Sequence, residues 1–207
     1  MPMRAVFLDK DGTLVEDVPY NVDPRQIRLA AGSAAGVRLL HAAGYRLFVI
    51  SNQSGVARGL FPESALAGVE AALRRLLADA GAPLSGFYYC PHYPDGVVPA
   101  YSVACDCRKP APGLIRRAAA DHDLDLPASW FIGDILDDVE AGHRAGCRAI
   151  LLDNGHETEW LPGPGRAPDY MAPDLAAAAR TILATDRRAG MVSRDGRAGP
   201  APVGGPL

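Results

Sequence analysis

Short, almost continuously apolar runs alternate with longer stretches of helical periodicity along most of this 207-residue chain. A strand that is apolar on both faces is typical of a parallel sheet with helices packed on either side. The runs that we interpret as strands are residues 5–8, 47–50, 87–89, 130–132 and 149–152. This alternation predicts an α/β fold with a doubly wound, Rossmann-like and mostly parallel sheet.

Helices are expected between these runs. The clearest spans residues 63–80, where leucine and valine recur at steps of three and four residues and form one apolar stripe. The other predicted helices are residues 34–43, 112–122, 136–145 and 173–184. Because such a stripe buries itself against a sheet, the pattern supports helices on both faces of one domain.

The composition changes after residue 184. Residues 185–207 contain five Gly, three Pro and four Arg and almost no large apolar side chain. Burial in such a segment cannot compensate for the entropy of ordering it. We therefore expect one folded domain over residues 1–184 and a disordered tail over residues 185–207.

The charge balance narrows the class of ligand. Lys and Arg number 21 and Asp and Glu number 24, which gives a net charge of −3 and no basic footprint for nucleic acid or for an anionic membrane. No apolar run approaches the roughly 18–20 residues of a membrane span, and no signal-peptide pattern is present. We expect a soluble, cytoplasmic protein, a monomer, that binds a small molecule.

Three polar motifs follow directly after three predicted strands. They are Asp-Lys-Asp-Gly-Thr at residues 9–13, Ser-Asn-Gln-Ser-Gly at 51–55 and Gly-Asp-Ile-Leu-Asp-Asp at 133–138. The first motif alone is compatible with a simple Asx-type turn. Because the carboxyl ends of parallel strands meet at one edge of a sheet, where ligands bind, the three together predict a site there.

These motifs and the later Arg-Lys-Pro, in this order, resemble the haloacid-dehalogenase (HAD) superfamily of phosphotransferases. The resemblance covers about residues 4–184 and implies a two-step displacement through an aspartyl-phosphate. Asp9 would be the nucleophile and Asp11 the general acid and base. Ser51, Asn52 and Lys109 would stabilise the transferring phosphoryl group.

The carboxylates imply a cation. Asp9, Asp11 and Asp134 around a phosphate would concentrate more negative charge than can persist without compensation. Mg²⁺ suits them, because it accepts one or two carboxylates together with phosphate oxygens. Asp138 is expected to support Lys109 or the metal shell.

A second metal site is predicted in residues 90–108, which we call the zinc loop. Cys90, His92, Cys105 and Cys107 supply three thiolates and one imidazole, a closed tetrahedral set typical of structural Zn²⁺. A disulfide or unrelated buried thiols are the alternatives. Because Lys109 follows Cys107 by two residues, zinc would hold Lys109 and Arg108 over the site.

The sequence of the zinc loop indicates which families within the superfamily this chain resembles. Cys-x-His followed by Cys-x-Cys-Arg-Lys-Pro is similar to the D-glycero-D-manno-heptose 1,7-bisphosphate 7-phosphatases and to the related histidinol-phosphate phosphatases. The spacing of the cysteines and residues 51–59 favour the heptose branch, whose reaction removes the 7-phosphate. The resemblance implies that Arg108 recognises the distal phosphate and that the sugar contacts come from two segments: Asp17 to Tyr20, and Ser51, Asn52, Gln53 and Ser54.

Little room remains for a cap domain between the second motif and the zinc loop, since one helix occupies most of that segment. We expect a capless domain with an open site. Two other functions stay possible at this point: a histidinol-phosphate phosphatase, and a non-catalytic, zinc-stapled protein that binds a sugar phosphate.

Overall fold

The computed structural model describes residues 3–155 and 160–195, with side chains described as far as Arg188. All six of its named strands form one parallel sheet in the order β3-β2-β1-β4-β5-β6. The strands are β1 (Ala5–Leu8), β2 (Arg46–Asn52), β3 (Leu84–Cys90), β4 (Trp130–Gly133), β5 (Arg148–Leu152) and β6 (Tyr170–Ala172). The predicted doubly wound α/β fold is confirmed.

Helices cover both faces of the sheet. The helices are α1 (Ser33–Ala42), α2 (Leu66–Asp79), α3 (Gly113–His122), α4 (Leu136–Ala145) and α5 (Leu175–Asp195), and a short 3₁₀ turn, Glu63–Ala65, precedes α2. Buried side chains of α1, α2 and α5 share one apolar cluster, and those of α3 belong to a second cluster on the opposite face. The five predicted helices are therefore all present.

The strands contribute to both clusters in alternation. In β1, Val6 and Leu8 belong to the first cluster, whereas Ala5 and Phe7 belong to the second. Successive side chains of a strand point to opposite faces, so a strand covered on both sides must be apolar throughout. This is the physical origin of the continuous apolar runs in the sequence.

The strand order creates one crevice. The chain moves outward from β1 through β2 to β3, then returns to β4, beside β1, and moves outward in the other direction. The crossovers on either side of β1 and β4 lie apart, which leaves a gap beyond the carboxyl ends of these two strands. The first and third polar motifs follow β1 and β4 and therefore meet at this gap.

Two elements differ from the sequence-based expectation. Strand β6 was not predicted, because it has only three residues, two of them exposed, and presents no apolar run. Helix α5 continues to Asp195, past the predicted end of the domain at Ala184. Asp186 explains part of this extension, because its carboxylate accepts from Arg4 at 2.7 Å and from Arg148 at 3.2 Å and also bonds the Tyr45 hydroxyl.

The start of the predicted tail, residues 185–195, is thus helical, and residues 196–207 lie outside the described residues. Across the part of the chain that the structure describes, no helix has both the length and the apolar character to cross a bilayer.

Candidate active site

Three carboxylates meet in the crevice beyond β1 and β4. One oxygen from each of Asp9, Asp134 and Asp138 lies within 4.8 Å of the others, and all three residues are buried. Asp9 follows β1 directly, and its backbone N–H donates to the carbonyl of Ile132 in β4 at 3.0 Å. The parallel pairing of β1 with β4 therefore brings the first and third motifs together, as the sequence predicts for Asp9 and Asp134.

Two glycines make this approach possible. A Cβ atom on Gly12, whose φ is +74°, would lie 2.2 Å from an oxygen of Asp134. A Cβ atom on Gly133 would lie 2.2 Å from an oxygen of Asp138. Any larger residue at either position would displace a carboxylate, so close packing requires both glycines, and the positive φ of Gly12 adds a requirement of backbone conformation there.

Lys109 stands among the carboxylates. Its Nζ lies 2.5 Å from an oxygen of Asp9 and 2.6 Å from an oxygen of Asp138, and its side chain is almost completely buried. Burial opposes the charged form, but the charges of Asp138 and Asp9 outweigh it and raise the pKa of Lys109 above its usual value. The lysine is therefore a fixed positive charge beside Asp9.

The backbone of Lys109 is tied to the second motif. The Asn52 side chain accepts from the Lys109 N–H at 3.0 Å and donates to the Lys109 carbonyl at 3.2 Å. This reciprocal pair joins the end of β2 to the segment after the zinc loop. The structure thus brings together Asn52 and Lys109, two of the site residues that the sequence predicts.

The Asp11 carboxylate lies apart from the three clustered carboxylates. It is half-buried and pairs with Lys10 Nζ at 2.8 Å. Burial raises the pKa of Asp11 to about 6, with Lys10 opposing the rise and Asp9 adding to it. The structure therefore does not group this side chain with Asp9 and Asp134, the set that the sequence predicted for Mg²⁺; the third clustered carboxylate is Asp138.

The donor set fits a hard divalent cation. Burial, then the charge of Asp9, raises the pKa of Asp134, and burial, partly opposed by Lys109, raises the pKa of Asp138. Burial and the neighbouring carboxylates both disfavour the ionised form of these two groups, and a bound cation would oppose both effects. Carboxylate oxygens are the ligands that Mg²⁺ prefers.

Ser51 is buried at the end of β2. Its Oγ accepts a hydrogen bond from Gln53 Nε2 at 2.8 Å. Because Gln53 supplies the donor, the hydroxyl hydrogen of Ser51 stays available to an acceptor in the crevice.

A cavity of about 310 Å³ opens next to these groups. It is strongly polar, and its walls come from the first motif, residues 17–21, the second motif, the zinc loop and the start of α4. The predicted substrate residues that line it are Asp17, Tyr20, Asn52, Gln53, Ser54 and Arg108. Ser51 and Lys109 are buried beside this cavity and do not form its wall.

Sequence reasoning missed several residues here. Lys10 is buried and lines the cavity, and Thr13 donates to Asp134 at 3.2 Å. Both belong to the first motif, so their position was the available signal. Trp160 Nε1 donates to the Asp134 carbonyl at 2.9 Å and Asn154 Nδ2 to the Gly12 carbonyl at 2.6 Å, contacts from the loop after β5 that no sequence pattern indicated.

The four zinc-loop ligands converge on one point. The three Sγ atoms of Cys90, Cys105 and Cys107 are 3.2–3.5 Å apart, and His92 Nδ1 lies 3.3 Å from Cys107 Sγ and 3.7 Å from Cys90 Sγ. Zinc–sulfur bonds of about 2.3 Å give a tetrahedron with edges of about 3.8 Å, close to these separations. The three cysteines of the cluster, like Cys147 elsewhere in the chain, form no disulfide. The cluster therefore fits Zn²⁺ and not a disulfide.

Comparison with known proteins agrees with this geometry. A HAD-hydrolase-like family model matches residues 106–178. The chain is 39% identical over 180 residues to D-glycero-beta-D-manno-heptose-1,7-bisphosphate 7-phosphatase of Yersinia pestis, covering 87% of this chain and 95% of that protein. It is 41% identical over 189 residues to D-glycero-D-manno-heptose-1,7-bisphosphate 7-phosphatase of Thermosynechococcus vestitus, covering 88% and 96%.

A solved structure is similar over the same span. It is D,D-heptose 1,7-bisphosphate phosphatase from B. bronchiseptica, complexed with magnesium and phosphate. The TM-score is 0.72 and the identity 32%, over 88% of this chain and 99% of that chain.

Proposed function

Since the chain belongs to the D-glycero-D-manno-heptose-1,7-bisphosphate 7-phosphatase family of HAD-like phosphatases, we propose that it removes the 7-phosphate of a D-glycero-D-manno-heptose 1,7-bisphosphate. It is a phosphoric monoester hydrolase. The observation that carries the substrate is the cavity, which joins Asp11 of the first motif to Arg108 of the zinc loop.

Asp9 is the nucleophile in this proposal. A carboxylate oxygen of Asp9 attacks phosphorus, the bond from phosphorus to the sugar oxygen breaks, and Asp11 gives its proton to that oxygen. Water then attacks the aspartyl-phosphate, Asp11 takes a proton from this water, and phosphate leaves with Asp9 restored. The raised pKa of Asp11 supports the acid role, because it keeps a larger protonated fraction near neutral pH.

Lys109, Ser51 and Asn52 stabilise the transferring group. Lys109 Nζ is already 2.5 Å from Asp9, so it is within reach of the oxygens of a phosphoryl group bonded there. The free hydroxyl hydrogen of Ser51 donates to the same oxygens. Asn52 holds the backbone of Lys109 and so fixes the direction of that charge.

Asp9 and Asp134 would hold Mg²⁺, which when bound neutralises carboxylate and phosphoryl charge. Asp138 has a different task, because one of its oxygens pairs with Lys109 and the other accepts from the Ile135 N–H at 3.3 Å. It holds Lys109 in place. Zn²⁺ on the zinc loop would be structural, since its four protein ligands leave no open position.

Arg108 would bind the distal phosphate through a bidentate contact. The guanidinium group favours a second anionic group on the substrate and disfavours the amine of histidinol phosphate. The hydroxyls of the sugar would face Asp17, Tyr20, Gln53 and Ser54.

The reduced thiols that the zinc site requires support a cytoplasmic location. We also propose that the protein is a monomer, that residues 1–184 contain its catalytic parts, and that nucleic acid and membrane are not partners.

Phosphate release tests this function. With Mg²⁺ present, kcat/KM is measured on both anomers of D-glycero-D-manno-heptose 1,7-bisphosphate, on the heptose 7-phosphate and on histidinol phosphate. We expect one bisphosphate anomer to give the highest value. A preference for histidinol phosphate would overturn the substrate assignment, and release from none of the compounds would favour a binding protein.

A matched variant sharpens the test. Arg108→Ala should raise KM for the bisphosphate by about tenfold or more, the usual scale for loss of a charge-assisted contact, and should leave KM for the heptose 7-phosphate nearly unchanged. Equal changes for both substrates would contradict the proposed contact with the distal phosphate.

A further inference from the structure

Two arginines share one tyrosine ring at the rim of the cavity. The Cζ atom of Arg58 lies 4.0 Å from the centroid of the Tyr93 ring, and the Cζ atom of Arg108 lies 5.2 Å from the same centroid. Both distances fall within the roughly 6 Å over which a guanidinium group is attracted to an aromatic face. Arg58 follows the second motif, whereas Tyr93 and Arg108 belong to the zinc loop.

The Arg108 side chain has few other restraints. Among the residues that the structure describes, its side chain makes one hydrogen bond, a long contact from Nη1 to the His92 carbonyl at 3.5 Å. Within the described residues, no carboxylate forms an ion pair with either Arg58 or Arg108. Because an arginine side chain has many rotamers, a contact that selects one of them reduces the entropy lost when an anion binds.

The backbone of Tyr93 is held by two hydrogen bonds within the zinc loop. The Tyr93 N–H donates to the Tyr101 carbonyl at 3.1 Å, and the Tyr93 carbonyl accepts from the Gly96 N–H at 3.0 Å. The N–H groups of Val97 and Val98 donate to the carbonyl of Ala57, next to Arg58, at 2.8 and 3.0 Å. The zinc loop and the segment after the second motif are therefore joined where Arg58 meets Tyr93.

We propose that Tyr93 is a positioning residue for substrate recognition, which directs the guanidinium group of Arg108 into the cavity, and that Arg58 fixes the ring of Tyr93. This inference rests on the proposed function, because it requires a substrate with a distal phosphate. Neither Arg58 nor Tyr93 lines the cavity. They act through Arg108 and contribute to KM for the bisphosphate, not to the chemical step.

Kinetics of Tyr93 variants test the inference. Tyr93→Ala should raise KM for the heptose 1,7-bisphosphate about fivefold, the scale of one partly exposed cation–π contact, with kcat changed less than about twofold. KM for the heptose 7-phosphate should stay unchanged. Tyr93→Phe keeps the ring and should restore the wild-type KM for the bisphosphate.

Three further variants separate positioning from general damage to the loop. Arg58→Met leaves the zinc loop intact and should raise KM for the bisphosphate about threefold. Tyr101→Phe, on the same loop, removes only a hydroxyl that donates to Glu63 at 2.7 Å and should change neither KM. In the double variant Tyr93→Ala with Arg108→Ala, KM should not exceed that of Arg108→Ala alone, and the zinc content per chain should equal that of the wild type.

The outcomes are distinct. Equal increases of KM for both heptose substrates, or no increase for Tyr93→Ala and Arg58→Met, would overturn the inference while the proposed function stands. Additive effects in the double variant would also overturn it, because Tyr93 would then act independently of Arg108. If the wild type releases no phosphate from either heptose compound, the proposed function fails first and this inference falls with it.

Discussion

The carboxylate cluster and the zinc cluster lie on either side of Arg108 and Lys109, yet they are assembled in opposite ways. Asp9, Asp134 and Asp138 come from motifs far apart in the sequence and meet because β1 pairs with β4. The zinc ligands all come from residues 90–107 and start at the last residue of an edge strand. The first cluster depends on the whole sheet, whereas the second can be ordered by its own metal.

Because of this difference, the nucleophile is positioned by one region, whereas the positively charged groups around it are positioned by both. The sheet fixes Asp9, so the attacking group keeps its position whatever happens to the zinc loop. Lys109 and Arg108 depend on both regions, since Lys109 is tied to Asn52 on one side and follows Cys107 on the other. Changes in the two regions should therefore have different signatures in activity, metal content and stability.

The largest expected effect is that of Asp9→Asn. Phosphate release should fall at least about 10⁴-fold, because the variant has no carboxylate to form the covalent intermediate. The zinc content should remain that of the wild type. Asp79→Asn, an exposed carboxylate at the end of α2, serves as the control and should leave the rate unchanged. Activity within tenfold of the wild type would assign the nucleophile elsewhere.

Asp11→Asn should have a smaller effect that depends on the leaving group. The kcat/KM for the sugar phosphate should fall about 10²–10³-fold, the usual scale for loss of a general acid. For p-nitrophenyl phosphate, whose phenolate leaves without a proton, the fall should be less than about tenfold. Both values are measured at saturating Mg²⁺. An equal loss of kcat/KM with the two substrates would contradict the proposal that Asp11 protonates the leaving group.

Zinc removal is expected to have the smallest effect on turnover and the largest on local order. A zinc-selective chelator, with Mg²⁺ retained, should lower turnover about tenfold and lower the melting temperature. Structural zinc sites contribute about 10–16 kcal/mol of apparent binding energy, enough to order such a loop. Cys107→Ser should lower turnover and the melting temperature in the same way. Cys147→Ala, which lies outside the cluster, should leave the zinc content of the protein unchanged. Full activity in a zinc-free sample would show that the loop does not place Lys109.

The same contrast explains what could be predicted from the sequence. The zinc ligands form a complete set in a short segment, so their types and spacing were sufficient to predict the cluster. Asp9 and Asp134 could be predicted because each follows an apolar run that reads as a strand. The partner of Asp11 could not, because the direction of a side chain on a sharp turn depends on Lys10 being buried beside it.

Two structural elements could not be predicted, because no local pattern in the sequence indicates them. Strand β6 is held by pairing with β5, and its own three residues carry no pattern. The extension of α5 past Ala184 includes Asp186, which meets Arg4 and Arg148 from distant parts of the chain. Composition alone predicted disorder there, because it cannot register ion pairs with residues that are remote in sequence.

The peripheral position of β3 has a consequence for substrate specificity. Because β3 is an edge strand, no other strand among the described residues pairs on its outer side. The length and side chains of the loop after it can change without altering the pairing of β1 with β4. The side chains of this loop can therefore determine which molecule the cavity recognises, while Asp9 and Asp134 keep their positions after the two central strands.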